Sequence, residues 1–209
     1  MQTVDKAALL AFFDAAADTM AAKKEYLIEL DAAVGDGDLG LTMSAGFAKI
    51  KEALHESADD DLGKLLMLAG MSIAKAVPST MGTLVGSGFM KAAKALRGKT
   101  EFTLGDIATL LEEFTTGLME RGKAQPGDRT IIDAMFPAAQ ALRAAQGGSF
   151  ESALEAAAAA AAQGVEQTKT MTGKFGRSVF YGDQVLGKPD QGAIVGQYIV
   201  EALRTGLCG

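Results

Sequence analysis

Tryptophan is absent from these 209 residues, histidine and cysteine occur once each, and aromatic residues make up only 6%. A lone cysteine, Cys208 at the C-terminal fringe, allows no intramolecular disulfide and fits a reducing cytoplasm. Basic residues are outnumbered: a net charge of −6 argues against nucleic acid, whose binding rests on clustered Lys and Arg. Long apolar runs are missing too. The alanine tract Ala156 to Ala162 is too short and too weakly apolar to span a bilayer, so no membrane contact is expected. The opening Met1-Gln2-Thr3-Val4-Asp5-Lys6 shows no basic stretch followed by an apolar one, so no signal peptide is expected.

Alanine and leucine abound, and with 48% hydrophobic residues the chain can bury a sizeable core of packed helices. Nothing in the composition marks a domain boundary within 1–209. Leu9, Phe13, Ala16 and Met20 mark one face of a first helix that continues through Tyr26, Leu27 and Leu30 to Gly35. A second helix is expected over Leu41 to Leu54, a third over Leu62 to Ala76 ending at Pro78, and a fourth over Thr83 to Leu96. A fifth follows the capping box Thr103-Leu104-Gly105-Asp106, and a sixth opens at Thr130-Ile131-Ile132-Asp133 with Pro137 bending its start. The seventh spans Phe150 to Thr168 and the eighth runs from near Gly192 to near Leu203. Only Ser178-Val179-Phe180-Tyr181, bounded by glycines, offers an alternating pattern that competes as a strand.

In an up-and-down bundle alternate loops fall at the same end. Three connections are short and ordinary, whereas the other four concentrate Gly, Pro, Ser and charge. These four surround residues 31–40, 77–82, 121–129 and 171–191, and they converge on one rim. Four helix N-termini face that rim, each with unpaired N–H groups and a partial positive charge suited to phosphate.

The first of these loops carries Asp31, Asp36 and Asp38 inside eight residues, beside Gly35 and Gly37. Carboxylates so close repel one another unless a cation sits among them, and hard oxygen donors suit Mg²⁺ or Ca²⁺. The alternative is a solvated acidic turn. Mg²⁺, the helix N-termini and Lys174 or Arg177 would together neutralise a diphosphate. The single His55 falls at the opposite end of the bundle, away from any chemistry at the rim.

The segments Tyr26–Asp31 leading into Gly35-Asp36-Gly37-Asp38, Arg121-Gly122-Lys123-Ala124-Gln125-Pro126-Gly127-Asp128-Arg129-Thr130, Gly176-Arg177-Ser178 and Asp190-Gln191-Gly192-Ala193 carry a resemblance. In this order and at this spacing the chain resembles the nucleotide-binding L subunits of dihydroxyacetone kinases over nearly its whole length. The resemblance implies an all-α fold of eight antiparallel helices in a barrel-like bundle, one domain over 1–209, with ADP or ATP at one end. It implies two Mg²⁺ ions held by Asp31, Asp36 and Asp38. It carries nucleotide contacts to Leu39, Gly40, Leu41, Thr42, Thr80, Met81, Gly122, Ile131, Arg177, Asp190, Gln191 and Gly192, and gives Arg177 a part in stabilising the transferred charge. The acceptor, a small ketose, would sit on a separate sugar-binding K subunit. Family members divide between ATP users and those whose ADP is rephosphorylated by a phosphohistidine protein of the sugar phosphotransferase system. A homodimer is also compatible with the sequence.

Two departures stand out: Leu39 where the family usually has histidine, and Pro78-Ser79-Thr80-Met81-Gly82 where a Gly-Gly-Ala-Ser-Gly stretch is common. They open the acceptor to another ketose such as a tetrulose. Other classes remain in view. One is a nucleotide-sensing module that reports to a transcription factor. Another is a scaffold with structural Ca²⁺, although the acidic loop lacks the EF-hand pattern.

Overall fold

The computed structural model describes residues 3–208, and among them the regular structure is helical apart from one antiparallel bridge, Val4 with Phe102. The helices are α1 (Lys6–Ala22), α2 (Lys24–Ala32), α3 (Leu39–Glu56), α4 (Leu62–Ala76), α5 (Thr80–Ala95), α6 (Leu104–Gly122), α7 (Ile132–Ala144), α8 (Phe150–Thr168) and α9 (Gln191–Cys208). A 3-10 segment, Arg177–Val185, precedes α9.

Neighbours pack in a ring. α3 lies on α4, α4 on α5, and so on round to α8 on α9, after which α9 packs on α1 and α1 on α3. Eight helices thus close a barrel, and the short α2 lies outside it against α3. The interior is one continuous apolar core with contributions from all nine helices. At its centre a run of rings links α1, α5 and α6, with centroids 5.3 Å apart for Phe13–Phe89 and 4.7 Å for Phe89–Phe114. The rings fit because α5 and α6 approach closely: a Cβ on Gly117 would sit 2.8 Å from Gly88 Cα.

Local signals set most helix starts. Asp5, Asp61, Ser79, Thr103 and Ser149 each cap a helix through the side chain, and Thr103 with Asp106 forms the expected capping box. At α7 the arrangement differs: Asp133 accepts from Thr130 N–H at 2.7 Å, while Thr130 Oγ1 accepts from Ile132 N–H at 3.2 Å.

The structure corrects three of the expected elements. The first helix divides at Lys23, because α2 leans away from α1 to lie on α3, where Gly40 leaves room for the Lys24 carbonyl and Ile28. Ser178–Tyr181 is part of the 3-10 segment rather than a strand, with a break at Gly182 (φ +49). The last helix reaches Cys208, well beyond Leu203.

Candidate metal and nucleotide site

All four unusual connections meet at one end of the barrel. They line a cavity of about 460 Å³ with Asp31, Gly35, Asp36, Asp38 and Leu39, the stretch Pro78–Met81 with Leu84, Arg129–Ile131, Phe175–Ser178, and Asp190–Gly192. A second lobe of about 470 Å³ shares Pro78, Thr80, Leu84, Ile131 and Phe175, and continues to Leu118, Gly122, Ala124 and Ile132. The first lobe is therefore acidic, whereas the second has no carboxylate in its lining.

The acidic loop is built by its glycines. A Cβ on Gly35 would collide with the Asp31 carboxylate, and Gly37 adopts φ +75, a conformation that costs L-residues strain. Asp31 is buried, and its Oδ2 accepts from the N–H groups of Asp38 (3.0 Å) and Leu39 (3.3 Å). Asp36 and Asp38 are exposed. One carboxylate oxygen from each of the three aspartates lies within 4.8 Å of the others. Partial burial, then repulsion from Asp36 and Asp31, raises the Asp38 pKa against a smaller opposing pull from Arg177. Arg177 Nη2 stands 2.8 Å from Asp36 Oδ2. Both partners are largely exposed, so the pair is worth about 0–1 kcal/mol and leaves the guanidinium free to exchange partners.

These oxygens fit a hard divalent cation. They are hard donors of one sign on one short loop, with Asp31 anchored by backbone N–H groups, and burial and mutual repulsion disfavour ionisation of Asp38 without a counter-charge.

Four helix N-termini open on this cavity: α3 after Asp38, α5 capped by Ser79 on Gly82 N–H (3.0 Å), α7 after Thr130, and α9 capped by Asp190 on Ala193 N–H (2.9 Å). Of the residues singled out from sequence, Asp31, Asp36, Asp38, Leu39, Thr80, Met81, Ile131, Arg177, Asp190, Gln191 and Gly192 line the acidic lobe, and Gly122 lines the second one together with Thr80 and Ile131. Gly40, Leu41 and Thr42 line neither lobe. Gly40 faces α2, Leu41 is exposed and Thr42 is buried in the first turn of α3. Lys174 is committed elsewhere, 2.7 Å from the buried Asp128. His55 stands at the far end of α3, about 25 Å of helix from Asp38 at 1.5 Å per residue, and meets Asp14 at 2.9 Å. Sequence reasoning left Arg129, Thr168 and Phe175 without a role. The signal for Arg129 was present as a charged residue next to Gly127-Asp128 at a helix start, but its burial was not readable.

A closed helical barrel with a carboxylate cluster and four helix N-termini gathered at one rim defines the class, an all-helical bundle with a cavity at its end. The model of the DAK2 domain matches residues 33–205, and the chain belongs to that family. The ADP-binding subunit DhaL of the PEP-dependent dihydroxyacetone kinase of Escherichia coli K12 is 35% identical over 188 residues, covering 89% of this chain and 90% of that one. The D-erythrulose kinase of Mycolicibacterium smegmatis is 34% identical over 186 residues, which cover 87% of this chain but 32% of that protein. The crystal structure of the dihydroxyacetone kinase from C. freundii in complex with AMP-PNP and Mg²⁺ superposes with a TM-score of 0.72 at 29% identity, covering 94% of this chain. This chain spans about a third of that kinase's length, 33%.

Proposed function

We propose that this chain is the nucleotide-binding subunit of a dihydroxyacetone-type kinase, carrying Mg²⁺-bound ADP or ATP at its rim and passing a phosphoryl group to a small ketose held on a separate sugar-binding K subunit. The observation that carries the reading is the meeting of Asp31, Asp36 and Asp38 with four helix N-termini in one cavity that continues into a second lobe free of carboxylates.

In this reading the second lobe, where Leu84, Leu118 and Ile131 offer apolar wall beside Gly122, takes the adenine, and the acidic lobe takes the phosphates. Asp31, Asp36 and Asp38 hold Mg²⁺, which supplies neutralisation of phosphate charge. Two such ions would share the three carboxylates of this one short loop. The N-termini of α5, α7 and α9 orient phosphate oxygens, and Arg177 turns from Asp36 to the transferred group. Phosphoryl transfer asks for positioning and charge neutralisation above all.

The acceptor's proton must go elsewhere. The carboxylates lining the cavity are three metal ligands and Asp190, which is paired with Arg129 and caps α9. No lining group is left to serve as base, and this supports an acceptor site on a partner subunit. The continuous core supports one domain over 1–209, and the absence of any helix long and apolar enough to cross a membrane, among the described residues, is compatible with a cytoplasmic location.

A tetrulose acceptor is the second reading, favoured by Leu39 and the Pro78–Gly82 loop together with the similarity to an erythrulose kinase. Reconstitution with a sugar-binding K subunit tests both. Transfer should require both chains and Mg²⁺. ATP and a phosphohistidine carrier protein are compared as donors, and dihydroxyacetone and erythrulose as acceptors. Full turnover by the K subunit without this chain would refute the reading.

A further inference from the structure

Arg129 is among the largest wholly buried side chains, and it holds φ +61 without being glycine. A left-handed conformation strains an L-residue and persists where the surroundings over-determine it. Here the surroundings are specific. Nη1 donates to Asp190 Oδ1 at 3.3 Å, and Nη2 faces the carbonyls of Lys188 (3.1 Å), Pro189 (3.4 Å) and Val185 (3.5 Å). One planar cation therefore gathers the exit of the 3-10 segment and the residue that caps α9. Asp190 N–H in turn donates to Thr168 Oγ1 at 2.9 Å, which ties in the end of α8. The residues on either side extend the link: Thr130 and Ile131 line both lobes, while Gln191 donates to Asp31 at 3.3 Å. Arg129 Nε has no partner.

We propose that Arg129 is a positioning residue: its guanidinium locks residues 185–191 at a fixed distance from the carboxylate cluster, so that the 3-10 segment bearing Arg177 stays over the bound nucleotide. The proposal rests on the nucleotide reading of the cavity. Lysine cannot replace this fork, because a single ammonium on a flexible stem does not span a carboxylate and three carbonyls in one plane.

The test uses Arg129→Lys, which keeps the charge, and Asp190→Asn, which keeps a side-chain oxygen for the α9 cap. Dissociation of Mg-ADP is followed by stopped flow, and tryptic cleavage after Lys174 and Arg177 is followed without ligand. Each variant should release Mg-ADP about tenfold to a hundredfold faster, as expected for loss of hydrogen bonds to charged groups. Cleavage within 171–188 should accelerate by a similar factor, while helicity and cleavage elsewhere stay at the wild-type level. Wild-type release and cleavage rates in both variants would overturn the proposal. So would cleavage rising uniformly along the chain, which would give Arg129 a merely structural part. If the unmodified protein does not bind Mg-ADP at all, the nucleotide reading fails and the cleavage comparison alone decides whether the clamp exists.

Discussion

Gln191 and Asp31 lie 160 positions apart and meet through a hydrogen bond of 3.3 Å from Nε2 to Oδ1. That bond joins α9 to α2 at the rim where the barrel closes, and it holds the oxygen of Asp31 that the loop N–H groups leave free. Asp31 is therefore a ligand oriented from two sides, whereas Asp36 is an exposed arm held by Arg177.

The three aspartates should consequently separate by stability. Asp36→Asn removes an exposed ion pair and is expected to change unfolding free energy by no more than about 0.5 kcal/mol. Asp31→Asn weakens a partly buried hydrogen-bond hub and should cost about 1–3 kcal/mol. Urea denaturation measures both, and equal losses would mean that Asp31 is not specially held.

Gly40→Ala should disturb the acidic loop from behind. A Cβ there would run into the Lys24 carbonyl and the Ile28 side chain, pushing α2 off α3. Overpacking of this kind costs about 1–3 kcal/mol, and metal binding should weaken with it. Gly147→Ala, which meets nothing within 4 Å, is the control expected to be neutral. Melting temperatures and Mg²⁺ titration of the two variants provide the check.

Gly122→Leu should close the second lobe and leave the three aspartates untouched. An added Cβ lies 3.1 Å from Leu84 Cδ2, so alanine asks for a small adjustment and leucine fills the space. ADP affinity is expected to fall about tenfold or more, with Mn²⁺ binding to the aspartates unchanged by electron paramagnetic resonance. Unaltered ADP binding would remove the base from this lobe.

How much of this was readable depended on whether the cause was local. The bounds of α4 and α8 match expectation residue for residue, because Asp61 and Ser149 cap them and unbroken apolar stripes follow. The division at Lys23 was not readable. Ala21, Ala22, Lys23 and Lys24 all favour helix, and the bend comes from packing at Gly40, a tertiary cause. Val179, Phe180 and Tyr181 are strand-prone residue types but have no partner strand, and Val179 and Phe180 are exposed on the 3-10 segment. The acidic cluster was legible because its glycines and aspartates lie within eight residues. The clamp of Arg129 on residues 56–61 positions away was not.

Asp190 adds a pH dependence. Burial lifts its carboxyl to about 6, against the pull of the Ala193 N–H and Arg129. An unfolded aspartate titrates near 3.9, so between pH 7 and pH 5 the folded chain takes up a proton that the unfolded chain does not. This contribution to stability is present at low pH and lost as pH rises through about 6. Asp190→Asn lacks it, so the cost of that substitution should be larger at pH 5 than at pH 7 by about 1 kcal/mol. Denaturation of both proteins at the two pH values measures the difference, and a cost independent of pH would place the carboxyl near its ordinary value.

Calorimetric titration of ADP into the protein, with and without Mg²⁺ and in wild type beside Asp36→Ala, bears most directly on the central claim. Wild type should bind tightly only with the metal, and Asp36→Ala should lose about a hundredfold in affinity, ~2.7 kcal/mol, while retaining its fold. Equal affinity in the two proteins, or binding indifferent to Mg²⁺, would contradict it.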